Sequence, residues 1–371
     1  MDADAEARSR RDLAGRGDTG SPGVPESGTD RAGARGASGF IPASPRLPVA
    51  ASLALLALAA LVPRLTARPD VLNLLFLALL YVSLGQSWNI LGGFAGQINL
   101  GHAAFFGTGA LVTRSLWLHG LPFGAAFLVG GLTAAACALV IGVPTFRLRG
   151  VYFSIGTLAV AEVVRITVGN ALPGLTALPT ELLISYDLAT RYYLALGLAL
   201  ATVLAAYLLL ASRLSLGILA VREDEDAARA TGVDALRHKL IALAISSFFA
   251  GLAGATFSFQ QVSYYPDNPF GPIWTFDALL ITFIGGLGTL AGPVIGAIFY
   301  VLVREQLAVS LVQVHQIIFG ALFILVVLVL PGGLVEGWGR LRRVWRATRG
   351  RNAVTEPAGP GGPSPGRASR P

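Results

Sequence analysis

The sequence is short of charge, cysteine, lysine and histidine, and each shortage excludes something. Only 13% of its 371 residues are Asp, Glu, Lys or Arg, about half of what a soluble domain carries. With 54% hydrophobic residues and a mean hydropathy of +0.64, that deficit excludes an ordinary soluble globule and a disordered chain. The single cysteine, Cys137, excludes a disulfide framework and a Cys-based metal site. The four histidines, His102, His119, His238 and His315, lie far apart and form no H-E-x-x-H pair, so no metal site is expected. Glycine is plentiful at 45 residues, but it follows no Gly-X-Y period, which excludes collagen. The one lysine, Lys239, stands in Arg-His-Lys-Leu and not in G-x-x-x-x-G-K-[ST], so the chain has no P-loop. No nucleophile–base set appears, and an enzyme is not expected. What remains is a polytopic membrane protein.

The charge that is present is unevenly placed. Residues 1–46 carry seven basic and seven acidic groups, and 47–339 carry thirteen of each. Residues 340–371 carry eight arginines against one glutamate, so the formal +7 resides there. A basic tail after a membrane span reads as a cytoplasmic anchor to anionic lipid. Nucleic acid is not an expected partner, because the bulk of the chain is apolar and uncharged.

Charge-free runs map the spans: 47–63, 71–113, 115–146, 192–212, 240–266, 278–303 and 306–335. Crossing ~30 Å of hydrocarbon takes ~20 apolar residues. The run 71–113 is long enough for two crossings, and 150–170 makes another, interrupted by Glu162 and Arg165. Barrel-like alternation is missing, so the spans are helices. The expected fold is an all-α, polytopic integral membrane helix bundle. It has about 8–10 transmembrane helices, some broken or re-entrant. It occupies 47–339. Residues 1–46 and 340–371, rich in Gly, Ser, Pro and charge, are expected to be disordered and cytoplasmic. The apolar run begins too late for a signal peptide.

Parity constrains the topology. Arg147 and Arg149 lie in one inter-span loop; Arg213, Arg222, Arg229, Arg237 and Lys239 lie in another. Positive charge assigns both loops and the tail to the cytoplasm. The segments 47–63, 71–92, 96–118, 121–143, 150–170, 190–211, 240–262, 273–303 and 314–332, counted once each, leave the tail outside. One late segment must therefore cross twice or re-enter. The best candidate is 273–303, which Gly285-Gly286-Leu287-Gly288 breaks before Thr289 and Gly292-Pro293. A break at membrane depth is tolerated beside a water-filled cavity or in a tight interface.

A second broken region lies at 92–109, where Gln97, Asn99 and His102 stand among glycines. Polar groups in a bilayer usually face the bundle interior or a pathway. Gln97 and Asn99 would not share a face on a regular helix, whereas a distorted backbone lets both point inward. Glu162 and Arg165, three apart, can form an intramembrane ion pair. They are also where a secondary transporter would couple an ion.

The loop 212–239 is the longest polar segment between spans. Glu223-Asp224-Glu225-Asp226 opens a short helix, Ala227-Ala228 and Arg229 continue it, and Gly232 ends it. This is either a solvated connector or a docking helix, with Ala227 and Ala228 small enough for close approach.

Asp226-Ala227-Ala228-x-x-x-Gly232 resembles the EAA signature of ABC importer permeases, with Asp for Glu and without the downstream Ile-x-Leu-Pro. Arg222-Glu223-Asp224-Glu225-x-Ala227-Ala228 through Lys239, then Ser246 to Ala255, resembles the branched-chain amino acid branch. So do Gly96-Gln97-Ile98-Asn99-Leu100-Gly101-His102-Ala103-Ala104-Phe105-Phe106-Gly107 and Gly285-Gly286-Leu287-Gly288-Thr289. The Gly96–Gly107 stretch is similar to the M-type (LivM-like) subunit. The resemblance covers roughly residues 70–340. It implies a path for Leu, Ile or Val through a bacterial inner membrane by alternating access. It also implies an H-type permease partner, two cytoplasmic ATPase subunits and an extracytoplasmic binding protein. ATP and Mg would sit on the ATPases, and this chain would bind no cofactor. A same-family importer of urea, amides or other amino acids, and an ion-coupled secondary transporter, are the alternatives.

The topology is testable with cysteines, because Cys137 is the only native thiol. In a Cys137→Ala background, Ser212→Cys, Asp234→Cys and Ala353→Cys should resist an impermeant thiol reagent in intact cells and react in inside-out vesicles. Labelling of Ala353→Cys in intact cells would contradict the double crossing at 273–303.

Overall fold

The computed structural model describes residues 59–65, 68–172 and 187–310, with scattered positions at 54, 174–179, 320–324 and 332–337. The expected extension 1–46, the tail 340–371 and most of the first and last expected spans lie outside the described residues. The rest is almost wholly helical. Helix α1 spans Pro69–Asn89 and runs on as a π-helical turn over Ile90–Phe94. Helices α2 (His102–Leu118), α3 (Phe123–Thr145), α4 (Val151–Ala171) and α5 (Leu188–Ala211) follow. Two short helices, α6 (Leu214–Glu223) and α7 (Glu225–Ala230), precede α8 (Ala235–Gln260). Helices α9 (Ile273–Gly285) and α10 (Gly292–Ser310) come last. A two-residue antiparallel pairing joins Thr176–Ala177 to Ser263–Tyr264. Among the described residues five helices are long and apolar enough to cross a membrane: α1 with its π turn, α3, α4, α5 and α8.

Packing explains which helices are central. Lipid tails are as apolar as leucine, so helices associate through close packing of small residues. Helix α8 carries Ala250, Gly251, Ala253, Gly254 and Ala255, all buried. A methyl group at Gly254 would overlap the Phe106 carbonyl oxygen of α2, and one at Gly109 would overlap the Gly251 carbonyl oxygen. On the other flank Gly131 and Ala134 of α3 meet α8. Helix α1 is also central: from Leu79 to Phe94 every residue is buried. Helix α4 is peripheral, and Tyr152, Ile155, Val163 and Ile166 point outward, as a lipid-facing surface requires.

The segment 273–303 is a helical hairpin. Asp277 of α9 meets Tyr300 and Arg304 of α10, while Gly285 packs on Gly292 at the turn. The two helices are therefore antiparallel, in agreement with the broken segment expected there. Helix α9 is in turn parallel to α1, because Tyr81 bonds Asp277, Thr282 bonds the Gly85 carbonyl and Asn89 bonds Gly288.

The segment 96–118 departs from its expected form. Its helix starts only at His102, and residues 95–101 are irregular. Gly96 has φ +69° and Gly101 lies against the Thr157 carbonyl oxygen, so the chain turns tightly there before re-entering the bundle.

Candidate functional site

The two breaks foreseen in the sequence, at 95–101 and 286–291, come together at one end of the bundle. Each leaves backbone donors and acceptors unpaired by helix, and such groups cost too much to leave bare away from water. Side chains satisfy many of them. In the first break, Trp88 Nε1 donates to the Asn99 carbonyl at 2.8 Å, and Ser154 Oγ donates to the Ile98 carbonyl at 2.7 Å. The Leu100 amide donates to Thr157 Oγ1 at 3.1 Å, and Asn99 Oδ1 accepts from the Gly101 amide at 2.8 Å. In the second, Thr289 Oγ1 donates to the Gly286 carbonyl at 2.8 Å and accepts from the Gly292 amide at 3.0 Å.

Asn89 joins the two. It is fully buried in α1, one turn before the first break. Its Nδ2 donates to the Thr289 carbonyl and its Oδ1 accepts from the Gly288 amide, both at 2.9 Å. A primary amide offers both functions side by side, so it pairs with the second break as a strand neighbour would. Gly93 must lack a side chain for this, since a methyl group there would overlap Asn89 Oδ1.

The expected path residues divide. Asn99 and His102 are buried; Gln97 and Thr289 are half-buried. Gln97 turns back, its Nε2 donating to the Ala95 carbonyl at 3.2 Å. His102 Nε2 lies 2.9 Å from Ser87 Oγ, whose proton goes to the Leu84 carbonyl, so the imidazole is the donor. Gly285 and Gly286 are buried at the end of α9, and Gly286 and Gly288 have φ +133° and +74°.

The stretch 212–239 is not a loose connector but a folded element, α6–α7, leading directly into α8. Its acids are assigned. Asp224 caps α7, accepting from the amides of Asp226 and Ala227. Glu225, half-buried, pairs with buried Lys239 and with Arg229, each at 2.5 Å. Asp226 reaches Arg149 at 3.2 Å, and Glu223 is exposed. Gly232, φ +89°, closes α7: its amide donates to the Arg229 carbonyl, and the Val233 amide donates to the Ala228 carbonyl. Ala227 is exposed, but Ala228 is not available for docking. It is buried between Val221 and Ala235, holding α7 onto α6 and α8.

Glu162 and Arg165 form the expected pair, with Arg165 Nε 2.9 Å from Glu162 Oε2. They lie on peripheral α4 and are more than a third exposed, away from the bundle interior. A second pair joins a buried acid to an exposed arginine. Asp277 of α9 is buried and accepts from Tyr300 at 2.5 Å and Tyr81 at 2.9 Å, with Arg304 at 3.4 Å. Asp277 and Arg304 bound the charge-free run 278–303, which was the signal for them. Arg114 is a buried cation, as are Arg191 and Lys239; it donates to the Gln261 and Val262 carbonyls beyond the C-terminus of α8, where a helix carries negative potential.

A multi-pass bundle with two helix breaks clasped at one depth, and a folded element beside them, has the build of a membrane permease. Residues 71–327 match the family described as "Branched-chain amino acid transport system / permease component", and the chain belongs to that family. It is 31% identical over 320 residues to the high-affinity branched-chain amino acid transport system permease protein LivM of Escherichia coli (strain K12), covering 76% of this chain and 74% of that one. It is 29% identical over 320 residues to the protein of the same name in Salmonella typhimurium, with the same coverage. A probable LivM of Methanocaldococcus jannaschii is 28% identical over 130 residues, 31% of this chain and 37% of that one. No solved structure matches the chain.

Replacing Asn89 should destabilise the bundle out of proportion to its size. Asn89→Ala strands the Gly288 amide and the Thr289 carbonyl, at a cost of about 1–3 kcal/mol. Asn89→Asp keeps one acceptor but opposes the Thr289 carbonyl with charge, and should lose at least as much. Thermal unfolding in detergent measures this; midpoints equal to wild type would contradict the clasp.

Proposed function

We propose that the chain is the M-type permease subunit of an ATP-driven importer of leucine, isoleucine and valine. It works with an H-type permease, two cytoplasmic ATPase subunits and an extracytoplasmic binding protein. The observation that carries this reading is the α6–α7 element. It is folded, pinned to α8 through Glu225–Lys239, and seated at the same end of the bundle as both helix breaks. A permease without its own P-loop needs such a handle for a partner that hydrolyses ATP. Glu223, Ala227, Arg229 and Ala230 are among its exposed residues and are the proposed docking surface. ATP and Mg belong to the partners.

Positive charge at this end supports a cytoplasmic location: Arg147 and Arg149 lie beside α7, with Arg213, Arg229 and Arg237 on or next to the element itself. Counting α9 and α10 as separate crossings is consistent in parity with both termini being cytoplasmic. The conduit suits an apolar zwitterion. Near the breaks it offers the amides of Gln97 and Asn99, the imidazole of His102 and the hydroxyl of Thr289, and Arg222 is the charged side chain that lies against them.

The test is reconstitution of the full complex in proteoliposomes. Leucine uptake should require ATP and all partners, while the purified chain alone hydrolyses none. Gly232→Val places a β-branched residue at positive φ, straining the closure of α7 by roughly 1–3 kcal/mol. It should lower uptake per ATP hydrolysed, while Gly232→Asn, which tolerates that φ, stays near wild type. Ion-gradient-driven uptake without ATP would contradict the proposal.

A further inference from the structure

We infer that Arg222 is the positioning residue through which movement of α6–α7 reaches the two helix breaks. This rests on the importer reading above. Arg222 is in the last turn of α6, two residues before the Asp224 cap of α7. Its side chain leaves that element and enters the bundle. A methyl group at Gly96 would come within 2.9 Å of Arg222 Cγ, and one at Gly288 within 2.8 Å of Arg222 Nη1 and 3.2 Å of the Gly93 carbonyl oxygen. The stem thus lies on the first break and the guanidinium on the second. Both glycines have positive φ, +69° and +74°, so the backbone is shaped to admit it.

Charge explains why a cation stands there. Helix α1 ends at the first break and α9 ends at the second. Each helix C-terminus carries about half a negative charge on its unpaired carbonyls. Two such ends converge on the Arg222 guanidinium. Among the described residues Arg222 forms no ion pair and no hydrogen bond with another group; the chain packed on the second break carries a carboxylate, Glu336, beside Gly332. Glu225, Asp226 and Asp224 are committed to Lys239 and Arg229, to Arg149, and to the α7 cap. The guanidinium is therefore held by position and by helix fields, not by a fixed partner. Such a contact can slide or withdraw without breaking a salt bridge. Asn89 holds the breaks to each other from inside the bundle, and Arg222 touches both from the side of the docking element. Displacing α7 shifts the α6 end and with it the wedge. Withdrawal leaves Gly288 and Gly96 free to move, and the breaks are the points where these helices bend.

The experiment uses the complete reconstituted complex and measures leucine uptake and ATP hydrolysis together for wild type, Arg222→Ala, Arg222→Met and Arg222→Lys. Uptake per ATP should fall about tenfold in Arg222→Ala and Arg222→Met, within the range usual for coupling between sites. Arg222→Lys, which keeps the cation, should recover a substantial part of it. A merely structural role would lower complex yield, uptake and hydrolysis together and leave their ratio unchanged; that result overturns the inference, as does a wild-type ratio in Arg222→Met. ATP-independent uptake by the wild-type complex would instead sink the importer reading itself, so the two failures are distinct.

Discussion

The structure depends on a single rule of the bilayer: backbone that leaves the helix must find its hydrogen bonds inside the protein. Asn89 is where the rule is met most economically. One amide, anchored in the most buried helix, supplies a donor and an acceptor to a chain segment about 200 positions away. Around it, Trp88, Asn99, Ser154, Thr157 and Thr289 provide for further backbone groups of the breaks. A permease needs non-helical backbone to make a path that opens, and it needs that backbone to be stable when closed. Side-chain bonds serve both needs, because each can be exchanged for water when a path forms.

Stability is distributed accordingly. The far end of the bundle is locked by Arg114 capping α8 and by Tyr81, Tyr300 and Arg304 around Asp277. Glycine and alanine bring α2, α3 and α8 into backbone contact, which leaves little freedom to shear. The breaks end is held by single hydrogen bonds and by glycines at positive φ. Motion there costs less than motion at the far end, and that is the end at which α6–α7 is attached.

Much of the architecture was legible because its signals are chemical necessities. Spans appear as charge-free runs, and Gly285-Gly286-Leu287-Gly288 foretells the turn of the α9–α10 hairpin. The first break was legible as a glycine-rich stretch, but the start of α2 at His102 was not, since nothing in Ile98-Asn99-Leu100 forbids helix. Asn89 was missed because one amide in an apolar run has no partner visible along the chain. Asp277 and Arg304 were visible only as the edges of a run, and their pairing needed the hairpin's fold. Ala228 was misjudged for a related reason: a small residue suits a docking face and a buried contact equally, and only Val221 and Ala235 decide between them.

The central claim is that the paired breaks form the cytoplasmic end of the transport path. Gln97 reports on it directly, being half-buried at the first break with its side-chain amide donating to the neighbouring Ala95 carbonyl. In the assembled transporter carrying Cys137→Ala and Gln97→Cys, the rate of modification by a small charged thiol reagent is measured from the cytoplasmic face of inside-out vesicles. The account predicts reaction from that face, slowed by leucine and altered when nucleotide is trapped on the ATPase partners. A rate indifferent to both leucine and nucleotide, or no reaction in any state, would contradict it.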